Sequence, residues 1–114
     1  MFQDRMESYR YSFGKPPEIR LEIQRENEVQ RRIFGLLLDV SPGGAKIFSE
    51  HELPVGAVAV KFFFKINHEN IAASGELVWK SAIPNGWVYG VEYFADSAKE
   101  MLIAEEIKAR IAII

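Results

Sequence analysis

Leu37-Leu38-Asp39-Val40-Ser41-Pro42-Gly43-Gly44-Ala45-Lys46-Ile47 is the stretch on which the reading of this chain turns. An apolar run stops at Asp-x-Ser-x-x-Gly, and an alternating apolar run resumes at once. The pattern predicts strand, polar corner, strand. The corner offers a carboxylate, a hydroxyl and glycines that let a backbone approach a ligand closely or take φ > 0. Two readings are open at this point. Asp, Ser and Pro-Gly-Gly are ordinary turn chemistry, and taken alone they favour a plain reversal over a binding corner.

On either side the chain continues to alternate. Ile19, Leu21 and Ile23 are apolar between Arg20, Glu22 and Gln24, a half-buried strand from 18 to 24. Arg25-Glu26-Asn27-Glu28 reads as a polar turn, and 31–38 as a second strand whose apolar second half is covered on both faces. After the corner come 45–48, a Pro-x-Gly connection over 49–56, and a strand at 58–66 with Val58, Val60, Phe62, Phe64 and Ile66 in phase. Asn67-His68-Glu69-Asn70 is a hairpin turn into 71–80, where Gly75 marks a bulge or a close backbone contact. Ile83-Pro84-Asn85-Gly86 turns the chain into 87–93. Short strands separated by turn signals predict a mainly β fold, a small six-stranded antiparallel barrel that removes open edges. Ser97-Ala98-Lys99-Glu100 matches a capping box with Ser97 as N-cap, and the apolar spacing beyond it predicts a helix over 97–112. Its residues Ile103, Ile107, Ile111 and Ile114 are candidates for a partner or dimer surface.

The expected organisation is one domain over 1–114: an arm (1–17), a barrel (18–94) and the helix. The arm ends in Gly14-Lys15-Pro16-Pro17, which forbids helix there. It carries Arg5, Arg10 and Lys15, and aromatic surface from Phe2, Tyr9, Tyr11 and Phe13 able to pack on the body.

Composition narrows the function. The 114 residues are 48% apolar and 26% charged, with net charge −2 and no cysteine. No apolar run approaches the roughly 20 residues of a membrane span, and the first residues lack a signal-peptide core, so no membrane insertion and a cytoplasmic location are expected. Disulfides and thiolate metal sites are excluded. The acidic balance speaks against DNA or RNA as a partner. His51 and His68 stand in separate loops without ligand spacing, no motif activates Ser41, and there is no phosphate-binding glycine loop, so neither a metal, a cofactor nor an enzyme activity is expected. The aromatics of Lys61-Phe62-Phe63-Phe64 and the pair Val78-Trp79 read as core and edge of a sheet in preference to a base-stacking platform.

Several of these pieces occur in one order: a basic arm, a strand, Asp39-x-Ser41-x-x-Gly44, then Gly75-Glu76-Leu77-Val78-Trp79, then Tyr89-Gly90-Val91-Glu92-Tyr93-Phe94 before a helix. The order resembles the PilZ domain, a six-stranded barrel family whose members commonly act as receptors for the bacterial second messenger cyclic di-GMP. The resemblance implies a non-enzymatic, nucleotide-binding role in second-messenger signalling, with ligand contacts at Asp39, Ser41 and Gly44. The family's other element, Arg-x-x-x-Arg in the arm, is not intact. With Arg10 as its second arginine the first falls on Met6, beside Arg5; with Arg10 as its first, the partner falls on Gly14, beside Lys15. Arg5 and Arg10 are therefore the candidate arm ligands, and ordering of the arm is the expected signal to a downstream protein, reached through the C-terminal helix. Such a module that has lost the nucleotide and serves as an adaptor is the alternative, and a homodimer is compatible with either.

Overall fold

The structure is a computed structural model that describes residues 10–26, 28–56 and 58–113. Arg5, Phe2, Tyr9 and Ile114 lie outside the described residues. Among the described residues seven strands, β1 (Tyr11–Ser12), β2 (Glu18–Arg25), β3 (Glu28–Ser41), β4 (Gly44–Ser49), β5 (Ala59–Lys65), β6 (Asn70–Ile83) and β7 (Gly86–Tyr93), precede the helix α1 (Ser97–Ile113). Six of them close a ring in the order β3-β2-β5-β6-β7-β4, with β4 pairing back on β3, and β1 adds to the outer side of β3. This is the expected barrel, with β1 as an addition that its two residues were too short to announce.

Closure depends on two long strands that change partner halfway. The first part of β3 pairs with β2 up to Leu36, and its second part pairs with β4 from Leu36 to Ser41. Strand β6 pairs with β5 up to Gly75 and with β7 from Gly75 onward. A glycine stands at each change. A Cβ on Gly35 would strike the Phe48 carbonyl oxygen, and one on Gly75 the Glu92 carbonyl oxygen. Neighbouring backbones meet too closely at these corners for any side chain.

Period two then fills the interior. Leu21, Leu37, Ile47, Phe62 and Leu77 point inward and are at most 1% exposed. From one side the β4–β5 loop inserts Leu53, whose N–H donates 2.7 Å to the Tyr89 hydroxyl, while that hydroxyl donates 2.7 Å to the His51 carbonyl. Burial pushes the Tyr89 phenol above its ordinary range.

The helix packs at the β5–β6 turn. Ile103 and Ile107 are fully buried against the barrel, each stabilising the dock by about 1.5–3 kcal/mol. These two are therefore not a partner surface, since their own barrel covers them, whereas Ile111 is exposed. Glu106 anchors the dock. Its Oε1 accepts the backbone N–H groups of Asn67, His68 and Glu69 at 3.0, 2.8 and 3.0 Å. Burial alone would raise its carboxyl, but the three amides outweigh it and hold the group below the ordinary carboxylate range. One turn on, Arg110 donates 2.8 Å to the Ile66 carbonyl and lies over the rings of Tyr11 and Phe13 at 5.8 and 5.6 Å. The N-cap is Asp96, not Ser97. Asp96 Oδ1 accepts the Lys99 N–H at 3.1 Å, and its carbonyl accepts that of Glu100. A carboxylate at this position also meets the positive end of the helix dipole, which a serine hydroxyl does not.

Candidate functional site

The polar corner is narrower than its sequence suggests. Only Pro42 and Gly43 turn, and Asp39, Val40 and Ser41 belong to strand β3. What turns Asp39 to the outer wall of the barrel is a bulge. Leu37 pairs with Ile47, both inside, yet Asp39 pairs with Lys46, so Leu38 is the extra residue. Without it, strict alternation would send Asp39 inward with Leu37.

Strand β6 repeats the device. Leu77 pairs with Val91 inside, Trp79 pairs with Gly90, and Val78 is the extra residue. Because Lys46 pairs with Gly90, the two bulges fall in one row. Asp39, Lys46, Gly90 and Trp79 run side by side across β3, β4, β7 and β6 on the outer wall of the barrel. Trp79 lies flat on the bare backbone of Gly90, where a Cβ would collide with the indole Nε1. Its side chain is not core: the residue is 44% exposed.

The arm completes the site. Tyr11 pairs with Val40 and Ser12 with Asp39. The Phe13 N–H donates 3.0 Å to the Leu38 carbonyl at the bulge, and Phe13 enters the core. This fixes Arg10 beside Asp39. Arg10 Nη1 donates 2.8 Å to Asp39 Oδ1, and Lys46 Nζ stands 3.8 Å from Oδ2. The Asp39 side chain is 10% exposed, whereas Arg10 and Lys46 are 47% and 45% exposed. Ser41, itself buried, donates 3.3 Å through Oγ to the Gly44 carbonyl. Gly44 packs so close to the Val91 carbonyl that no other residue fits.

These residues line an open cleft of about 420 Å³ with Arg10, Asp39, Lys46, Trp79 and Glu92 on its walls, within the roughly 300–1,000 Å³ range of small-molecule sites. Its two cations face two carboxylates, so the cleft holds no net charge that would draw an anion indiscriminately. It offers instead a guanidinium and an ammonium as anion donors, a carboxylate with unused lone pairs, and an exposed indole face. Of the residues named from the sequence, the structure brings Arg10, Asp39, Ser41 and Gly44 together; Arg5 lies outside the described residues. Sequence reasoning missed Lys46, Trp79 and Glu92. Lys46 and Glu92 were legible as the outward positions of alternating strands, but Trp79 needed knowledge of the Val78 bulge.

Among the described residues no group of three or more His, Cys, Asp or Glu is placed to hold a metal. The histidines serve through their backbones, His51 donating to Ser49 Oγ and His68 to Glu106. Among the described residues no helix is long and apolar enough to cross a membrane.

Residues 4–109 match the sequence profile of the PilZ domain. No curated protein matches the chain by sequence. Among solved structures, the Bacillus subtilis inhibitor of motility (MotI/DgrA) is similar, with a TM-score of 0.62 at 16% identity over 90% of this chain and 50% of that one. The likeness is one of fold, and this chain spans half the length of that protein.

Proposed function

The chain belongs to the PilZ domain family, and on that premise we propose that it is a non-enzymatic receptor for cyclic di-GMP, bound between the arm and the Asp39 wall. PilZ domains as a class are binding or adaptor domains. The observation that favours binding here is the alignment of the Leu38 and Val78 bulges, which places Asp39 and an exposed indole on one cleft beside Arg10. The division of labour follows from donor and acceptor chemistry. Asp39 accepts from the guanine amino and imino groups. Arg10 pairs bidentately with a phosphate or with guanine O6 and N7, a geometry an ammonium lacks. Lys46 answers the second phosphate as a point charge, Trp79 stacks on a base, and Ser41 with Gly44 keeps the backbone close. Arg5 is the arm's second candidate ligand.

The signal is carried by the arm. Arg10 is separated by a single bond in the chain from Tyr11, whose ring, with that of Phe13, lies under Arg110 of α1. Moving Arg10 from Asp39 onto the nucleotide therefore acts on a segment that the helix already grips, and a downstream protein in the cytoplasm reads the ordering of the arm without any catalysis. The other reading, an adaptor without nucleotide, is favoured by one observation: no two arginines of the arm stand at the family's spacing.

Calorimetric titration with cyclic di-GMP separates the two. Saturable binding that weakens about ten- to hundredfold in Arg10→Ala and Asp39→Ala is expected, as for the loss of one bidentate contact. No heat at tens of micromolar protein leaves the adaptor reading.

A further inference from the structure

The opposite wall of the barrel carries a second surface, independent of the nucleotide reading. Arg20 on β2 pairs in register with Phe34 of β3 on one side and Phe63 of β5 on the other. Its guanidinium lies 4.2 Å over the Phe63 ring. In the next row Glu22 stands between Arg32 and Lys61. Glu22 is nearly buried and accepts 3.1 Å from Arg32, while Arg20 Nε is 3.7 Å away and makes no hydrogen bond, although it is buried. The Arg20 side chain is 42% exposed, which leaves the outer N–H groups of its guanidinium open to a further acceptor.

Phe34 is 56% exposed and forms a ridge between two grooves of about 460 and 450 Å³. Along these rows Arg20, Arg32, Lys61 and Lys65 stand against Glu18 and Glu22, with Glu50 on the second groove, four cations against three carboxylates, in a chain whose net charge is −2. The positive excess is local, and it surrounds aromatic surface.

We propose that this wall docks an acidic protein segment in which carboxylates flank an aromatic or long aliphatic side chain. The apolar side chain fills a groove beside Phe34, and a carboxylate pairs with the exposed part of the Arg20 guanidinium with help from Lys65. Charge complementarity selects the partner, and the aromatic–cation–aromatic row supplies desolvated contact. The short spacing of cations among aromatics resembles a nucleic-acid platform too, but the acidic chain around it repels a long polyanion.

The test is nuclear magnetic resonance of the whole chain with three probes: an Asp/Glu-flanked Phe peptide, its Lys-flanked counterpart, and a thymidine oligonucleotide. Saturable shifts confined to β2, the first half of β3, and β5 are expected with the acidic peptide alone, and they shrink in high salt. Phe34→Ser and Lys65→Glu, both at exposed positions that leave the core intact, should each weaken binding about tenfold or more. Equal shifts with the Lys-flanked peptide, stronger shifts with the oligonucleotide, shifts that depend on protein concentration without any probe, or no shifts at millimolar peptide would each overturn the proposal. Cyclic di-GMP binding is read separately, at Asp39.

Discussion

Two nearly buried carboxylates hold this molecule together in opposite ways. Glu106 is met by three backbone N–H groups of one turn, partners that cannot leave without unfolding the β5–β6 connection. Asp39 is met by two side chains, Arg10 and Lys46, each about half exposed, which can swing away into water at little cost. Backbone partners make a fixture and side-chain cations make an exchangeable contact. The same residue chemistry is therefore structural at one end of the barrel and available for a ligand on its wall.

The contrast is broken first by removing each group. Glu106→Ala should cost about 3 kcal/mol, because it strands three amide donors at once, and urea denaturation should show it. Asp39→Ala should cost under about 1 kcal/mol in the same assay, since a freed, exposed Arg10 is solvated by water. Equal losses would contradict the distinction. A second test alters the stacking surface without touching either charge. Trp79→Ala should weaken cyclic di-GMP by about 1–3 kcal/mol, and Gly90→Ala, by pushing the indole off its seat, should weaken it in the same direction by less. Titration of both variants checks this ordering.

Acid sharpens the comparison further. The Glu106 carboxyl titrates below its ordinary value in the folded state. Its contribution is thus fully present above the unfolded value and disappears as pH falls through the lowered folded one. Thermal melts of Glu106→Gln should show a smaller loss between neutral pH and pH 3 than wild type. The smallest effect belongs to the helix start: Asp96→Ala should lower stability by about 1 kcal/mol and Ser97→Ala by much less.

The barrel was readable because six of its strands carry their period openly, as in Ile19, Leu21 and Ile23. The wall that holds the cleft was harder. A bulge has no fixed residue signature, and both Leu38 and Val78 look like any apolar strand residue, yet each decides the side to which the next functional residue points. The same gap led Asp39 to be read as a corner and Trp79 as sheet core or edge. Strand β1 was hidden for another reason. Two residues cannot show a period, and its pairing is set by tertiary contacts of Phe13 and Arg110. At the helix start two good caps stand side by side, Asp96 and Ser97, and the box pattern favoured the one the helix does not use.

A nucleotide bound at Asp39 lies beside Trp79. In a Trp87→Phe variant, Trp79 is the sole remaining tryptophan of the chain. Titrating it with cyclic di-GMP should give saturable fluorescence quenching that Asp39→Ala moves to about ten- to hundredfold higher nucleotide. An unchanged signal at saturating nucleotide, or quenching with the same midpoint in Asp39→Ala, would contradict it.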